Sequence, residues 1–94
     1  MSIFIKELIK RKLNHISVED LLQYGEQYEF SLTKIEAEKI VTYLRSNHID
    51  PFRKNDRTKM FQALTEITDI NTANKAQNLF DQMIRSYGLE HLFE

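Results

Sequence analysis

The residues that proteins most often use for metal binding and catalysis are few in this chain and are scattered along it. The three histidines, His15, His48 and His91, lie in separate segments, and none has a second histidine four positions away, as two zinc ligands on one helix face would require. The chain has no cysteine, which excludes a thiolate nucleophile and a thiolate metal site. We therefore expect no metal site, and we interpret the histidines as residues near helix ends.

Motifs for other kinds of catalysis are also missing from the sequence. Two glycines in 94 residues leave no glycine-rich loop for a phosphate group. The serines have no surrounding motif that would hold a base beside a nucleophile. Acidic pairs such as Glu36 with Glu38 are interpreted as solvated charges near helix N-termini. We expect no enzymatic activity, no catalytic residues, no cofactor and no small-molecule substrate.

A basic stretch in the middle of the chain is one candidate for binding. Arg53, Lys54 and Arg57 surround the predicted start of a fourth helix, where the helix dipole disfavours cations. Together with the unpaired N–H groups of the helix start they could hold a phosphate or an acidic partner, and ordinary solvation of the surface is the other interpretation. Nucleic-acid binding is therefore the alternative function, although the net charge of −1 speaks against DNA.

The predicted third helix has two apolar sides. The side expected to lie in the core consists of Ala37, Ile40, Val41 and Leu44. Ile35 and Tyr43, with the stem of Lys39 between them, project from nearly the opposite side. Either this helix is the buried centre of the domain, or Ile35, Lys39 and Tyr43 dock a partner protein or a second copy. Protein–protein interaction, self-association included, is the leading prediction for function.

The residues that most often interrupt helices are scarce, since the chain has two Gly and one Pro. We therefore expect helices to position the residues described above. Apolar spacing and end signals predict an all-α bundle of about five short helices. The first helix is predicted to cover residues 2–15. The second is predicted to run from Ser17 to about Tyr28, and the third from a capping box at Thr33 to about Asn47. The fourth is predicted to begin after Asn55 or Asp56, and the fifth after Asn71. Asp50-Pro51 is the firm break, Gly88 is the last stop, and the tail 89–93 is expected to fold back.

Chain length and composition indicate one globular domain over residues 1–94, with 41% hydrophobic residues to build its core. The first helix is expected to turn an apolar face to that core, opposite Lys6, Lys10 and Asn14; the face comprises Phe4, Ile5, Leu8, Ile9 and Leu13. Gly25 within the second helix is interpreted as a point of close approach by a neighbouring helix, and the alternative is that the helix ends or kinks there. The apolar run before Lys6 is too short for a signal sequence or a membrane span, which favours the cytoplasm and no membrane contact.

A pattern of capping and core positions resembles a known family. It comprises Ser31-Leu32-Thr33, Ala37, Ile40-Val41, Leu44-Arg45, Ile49, Phe52, Arg57 and Ile67-Thr68. In these positions the chain is similar to the YqfT-like family, small proteins of Bacillus and its relatives of unknown function. The resemblance implies a small cytoplasmic helical protein of a Gram-positive bacterium. It brings no catalytic residues to this chain.

Overall fold

The computed structural model of the chain describes residues 2–93. The five α-helices are α1 (Ser2–Asn14), α2 (Val18–Gln27), α3 (Lys34–Asn47), α4 (Lys54–Ile67) and α5 (Ile70–Ser86). A 3-10 turn at Glu90–Leu92 follows them, and no strand occurs in this part of the chain. The predicted all-α architecture of five helices is confirmed.

Capping boxes begin two of the helices. At α3 the hydroxyl of Thr33 accepts the backbone N–H of Glu36 at 3.1 Å, and the Glu36 carboxylate accepts the N–H of Thr33 at 2.9 Å. Ser17 and Asp20 make the same exchange at the start of α2. Because each box satisfies N–H groups that a helix leaves unpaired, it fixes where the helix begins. The predicted starts of α2 and α3 are confirmed.

The starts of the last two helices differ from those predicted. Helix α4 follows Arg53, whose side chain forms no capping hydrogen bond, and it does not begin after Asn55 or Asp56. The Asp56 carboxylate instead accepts the backbone N–H of Asp50 at 2.9 Å, so it stabilises the turn before the helix. Helix α5 is capped by Asp69 and not by Asn71: Asp69 Oδ1 accepts the N–H of Thr72 at 2.7 Å.

Helix α3 lies at the centre of the fold, in contact with α1, α2 and α4. Its predicted inner residues are all buried, namely Ala37, Ile40, Val41 and Leu44. Ile40 and Leu44 form a cluster with Ile49, and partly buried residues from α1, α2 and α4 pack around it. Helix α5 packs mainly on α4, and the two form an antiparallel hairpin around the turn at Thr68 and Asp69.

A second, aromatic cluster joins this hairpin to the tail of the chain. The ring centroid of Phe93 lies 4.5 Å from that of Phe52 and 5.6 Å from that of Phe80. The ring centroids of Phe61 and Phe80 are 6.2 Å apart. Gly88, with a φ of +64°, ends the last helix and lets the tail turn back, so this predicted stop and the extra turn are confirmed.

Gly25 is a point of close approach, but the neighbour is not another helix. A Cβ at this position would lie 2.7 Å from the carbonyl oxygen of Phe30, in the segment that follows α2. The N–H of Phe30 also donates to the carbonyl of Gly25 at 3.0 Å. The glycine therefore lets the chain fold back over the end of its own helix.

Candidate interaction surfaces

Part of the apolar face that was predicted to lie in the core is exposed on helix α1. Phe4 is 76% exposed and Leu8 61% exposed, and Ile5 is also exposed. Of the predicted apolar face, Leu13 packs against the core cluster and Ile9 is half-buried. The first two turns of the helix thus present apolar side chains to solvent.

Three polar residues occupy the inner side of α1 instead, and each has a partner there. The ammonium of Lys6 lies 5.6 Å from the ring centroid of Phe52, a cation–π contact. Lys10 Nζ lies 4.0 Å from the Asp50 carboxylate. The Asn14 carboxamide is hydrogen-bonded to the backbone of Ile49. Because these contacts satisfy the polar heads, the helix can lie against the body on its polar side.

The exposed side of α1, which we call the α1 outer face, consists of Phe4, Ile5, Leu8, Arg11, Lys12 and His15, all of them exposed. Phe4, Leu8, Arg11 and His15 follow one another at intervals of four, three and four. These intervals place side chains in one line along a helix, as at the contact positions of a coiled coil. The line is apolar at Phe4 and Leu8, and beyond them the face carries the cations Arg11 and Lys12.

The three predicted partner-binding residues of α3 separate in the structure. Ile35 is 65% exposed and lines a shallow depression of about 310 Å³ with Glu38, Lys39 and Thr42. Tyr43 is half-buried against the core cluster. Burial raises the pKa of the Tyr43 hydroxyl, and the negative charges of Asp56 and Glu66 raise it further. Ile35 and Lys39 therefore share a surface, whereas Tyr43 belongs to the edge of the core.

The basic stretch at the start of α4 is divided between structure and surface. Arg57 donates from Nη1 to the carbonyl oxygen of Pro51 at 3.0 Å, and its guanidinium lies 5.1 Å from the ring centroid of Phe93. Arg53 and Lys54 are exposed. Arg57 thus helps to hold the tail in place, and binding of a phosphate or an acidic partner by the three residues stays a prediction.

A groove of about 440 Å³ runs between α4 and α5. Phe61, Ala73 and Phe80 contribute apolar surface to it, and polar side chains such as Gln62 and Gln77 also line it. Among the described residues, no group of three or more His, Asp or Glu is placed to hold a metal ion.

Comparison with known proteins places the chain in a family. A family model described as "Protein of unknown function (DUF2624)" matches residues 1–84. The chain belongs to this family. It is also 30% identical over 80 residues to a protein named "Uncharacterized protein YqfT" from Bacillus subtilis (strain 168), a match that covers 85% of this chain and 95% of that protein. No solved structure matches the chain.

The family membership confirms the resemblance found in the sequence and assigns no activity to any residue. None of the helices in the described part of the chain is long and apolar enough to cross a membrane. Sequence reasoning missed the α1 outer face, because it placed Phe4, Ile5 and Leu8 in the core together with Ile9 and Leu13. The residues of α1 gave no signal for this orientation, because the partner that lets Asn14 lie on the inner side, the backbone of Ile49, is 35 positions away in the sequence.

Proposed function

We propose that this chain is a protein-interaction module without catalytic activity, and that it docks a partner through the α1 outer face. The observation that supports this most strongly is the exposure of Phe4 and Leu8, at 76% and 61%, on a helix whose other side is occupied by Lys6 and Lys10. Large apolar side chains that line up on an exposed helix face are typical of surfaces that another molecule covers.

The depression on α3 is a second, smaller candidate surface. It presents one exposed apolar side chain, Ile35, beside the stem of Lys39. A single apolar side chain surrounded by polar ones is common on protein surfaces, so this site supports docking less strongly than the α1 outer face does. It is, however, a suitable internal control, because Ile35 is exposed to almost the same degree as Leu8.

Photo-crosslinking in cells of the source organism tests the proposal. A benzophenone side chain is introduced in place of Leu8 in one variant and of Ile35 in another. We expect irradiation to attach a specific protein to the variant with the probe at position 8, and Phe4→Ser in the same chain to remove that adduct. Adducts from position 35 alone would move the function to the α3 surface. If neither position gives a specific protein adduct, the proposal fails.

A further inference from the structure

The α1 outer face also indicates what kind of partner segment it fits, an inference that depends on the proposed function. We propose that the segment is an amphipathic helix that packs apolar residues on Phe4 and Leu8 and places carboxylates opposite Arg11 and Lys12. The line of contact positions on α1 matches the surface that one helix offers to another. The order of side chains along it specifies the chemistry of the partner.

The charge of α1 supports an acidic partner. The helix contains four of the 13 Lys and Arg residues of the chain but only one of the 14 Asp and Glu residues. That one acid, Glu7, lies 3.5 Å from Lys10 on the flank of the helix. Arg11 and Lys12 are exposed on the outer face, where an approaching carboxylate can reach them. Complementary charges of this kind accelerate association and fix the register of two packed helices.

The placement of the cations favours a helix over a lipid surface. Helices that lie in a membrane interface carry Lys and Arg on a polar face beside their apolar stripe, so that the cations reach the headgroups. Here Lys12 follows Leu8, and Leu8 follows Phe4, at intervals of four along the same face. A helix lying flat on its apolar residues would press these cations toward the acyl chains. A partner helix with carboxylates one or two turns beyond its apolar residues has no such conflict.

Self-pairing of α1 gives a poorer fit. In a parallel pair of α1 helices, Arg11 of one copy lies beside Arg11 of the other, and like charges disfavour the contact. In an antiparallel pair centred on Leu8, Lys12 lies beside Phe4 of the other copy. Neither arrangement supplies a carboxylate to Arg11 or Lys12. We therefore expect the isolated chain not to associate through this face.

The decisive experiment measures binding of the full chain to a labelled synthetic helix of about three heptads, with Leu at the a and d positions and Glu at e and g. The matched control peptide has Lys in place of Glu. We expect the acidic peptide alone to bind, and its affinity to fall as NaCl is raised from about 50 mM to about 500 mM. Arg11→Glu with Lys12→Glu should weaken binding by about tenfold or more, and Phe4→Ser should weaken it similarly.

A second pair of charge reversals, Lys34→Glu with Lys59→Glu, changes the net charge equally at exposed positions away from α1, so binding should stay close to that of the parent. The inference is overturned if the acidic peptide does not bind, if the lysine peptide binds as well, or if both pairs of reversals weaken binding equally. It is also overturned if sedimentation with vesicles of anionic lipid depends on Phe4 while peptide binding does not. In any of these cases a protein adduct at position 8 would leave the proposed function standing.

Discussion

The carboxamide of Asn14 forms two hydrogen bonds with the backbone of Ile49: Nδ2 donates to the Ile49 carbonyl at 2.8 Å, and Oδ1 accepts the Ile49 N–H at 2.9 Å. The same Nδ2 lies 2.7 Å from the carbonyl oxygen of Lys10, one turn earlier in α1. The Asn14 side chain thus pairs with both backbone groups of Ile49, as the backbone of a neighbouring strand would. This pairing fixes which side of α1 faces the body.

Replacing Asn14 by Ala should lower the free energy of unfolding by about 2 kcal/mol, because the backbone N–H and C=O groups of buried Ile49 would both lose their partner. Urea denaturation of the two proteins measures the difference. Asn47→Ala is the control, since Asn47 donates only to the carbonyl of Tyr43 in an exposed part of α3. Equal losses in the two variants would contradict the role assigned to Asn14.

Replacing Gly25 by Ala should destabilise the protein, although alanine is the better helix former by about 1 kcal/mol. The added methyl group would lie 2.7 Å from the carbonyl oxygen of Phe30, so the segment after α2 must shift. We expect a net loss of about 1 to 3 kcal/mol in the free energy of unfolding. The exposed Gln23→Ala in the same helix is the control and should be nearly neutral. A more stable Gly25→Ala variant would show that the segment yields easily.

Replacing Asp69 by Ala should lower the melting temperature at neutral pH, whereas Asn71→Ala should change it little, because Asp69 is the residue that caps α5. The hydrogen bond from the backbone of Thr72 holds the pKa of the Asp69 carboxyl below its usual value of 3.8, and the hydrogen bond from the Thr72 side chain adds to this effect. The stabilisation is therefore present above that value and is lost as the pH falls through the lowered pKa. Melting curves across the acid range should show the parent and the Asp69→Ala variant converging. A larger effect from Asn71→Ala would restore the start predicted from the sequence.

Replacing Tyr43 by Phe should reduce the loss of stability at alkaline pH. Burial, with the charges of Asp56 and Glu66, raises the pKa of Tyr43 above its usual value of 10.0. The folded state therefore holds this proton more tightly than the unfolded state does. The resulting stability is fully present below pH 10 and is lost as the pH rises through the raised pKa. Melting temperatures of parent and variant, measured from pH 8 to about 11, should diverge only at the alkaline end, and a constant difference would contradict this.

The sequence predicted the number of helices and most of their limits because the signals for these are local. Thr33 and Glu36 stand three residues apart, and no competing pair lies nearby, so the start of α3 could be read directly. Near α5, Asp69 and Asn71 are both able to cap. Which of them caps α5 depends on where helix α4 ends, and that depends on how the helices pack.

The orientation of α1 could not be predicted from its own residues. Leu13 on one side and Phe4 on the other give the helix apolar surface around much of its circumference. The choice is made by partners distant in sequence: Ile49 for Asn14 and Phe52 for Lys6. Because long lysine stems can cover apolar surface, a polar residue in the pattern does not by itself mark the solvent side.

Phe52 lies against an ammonium group from the beginning of the described chain, that of Lys6, and against a ring from its end, that of Phe93. During synthesis the first of these contacts becomes available long before the second, since the chain emerges from the N-terminus onward. A nascent chain that lacks the tail has an uncovered aromatic surface on Phe52 and Phe80. The aromatic cluster is therefore completed only after the tail has been synthesised and has folded back onto it.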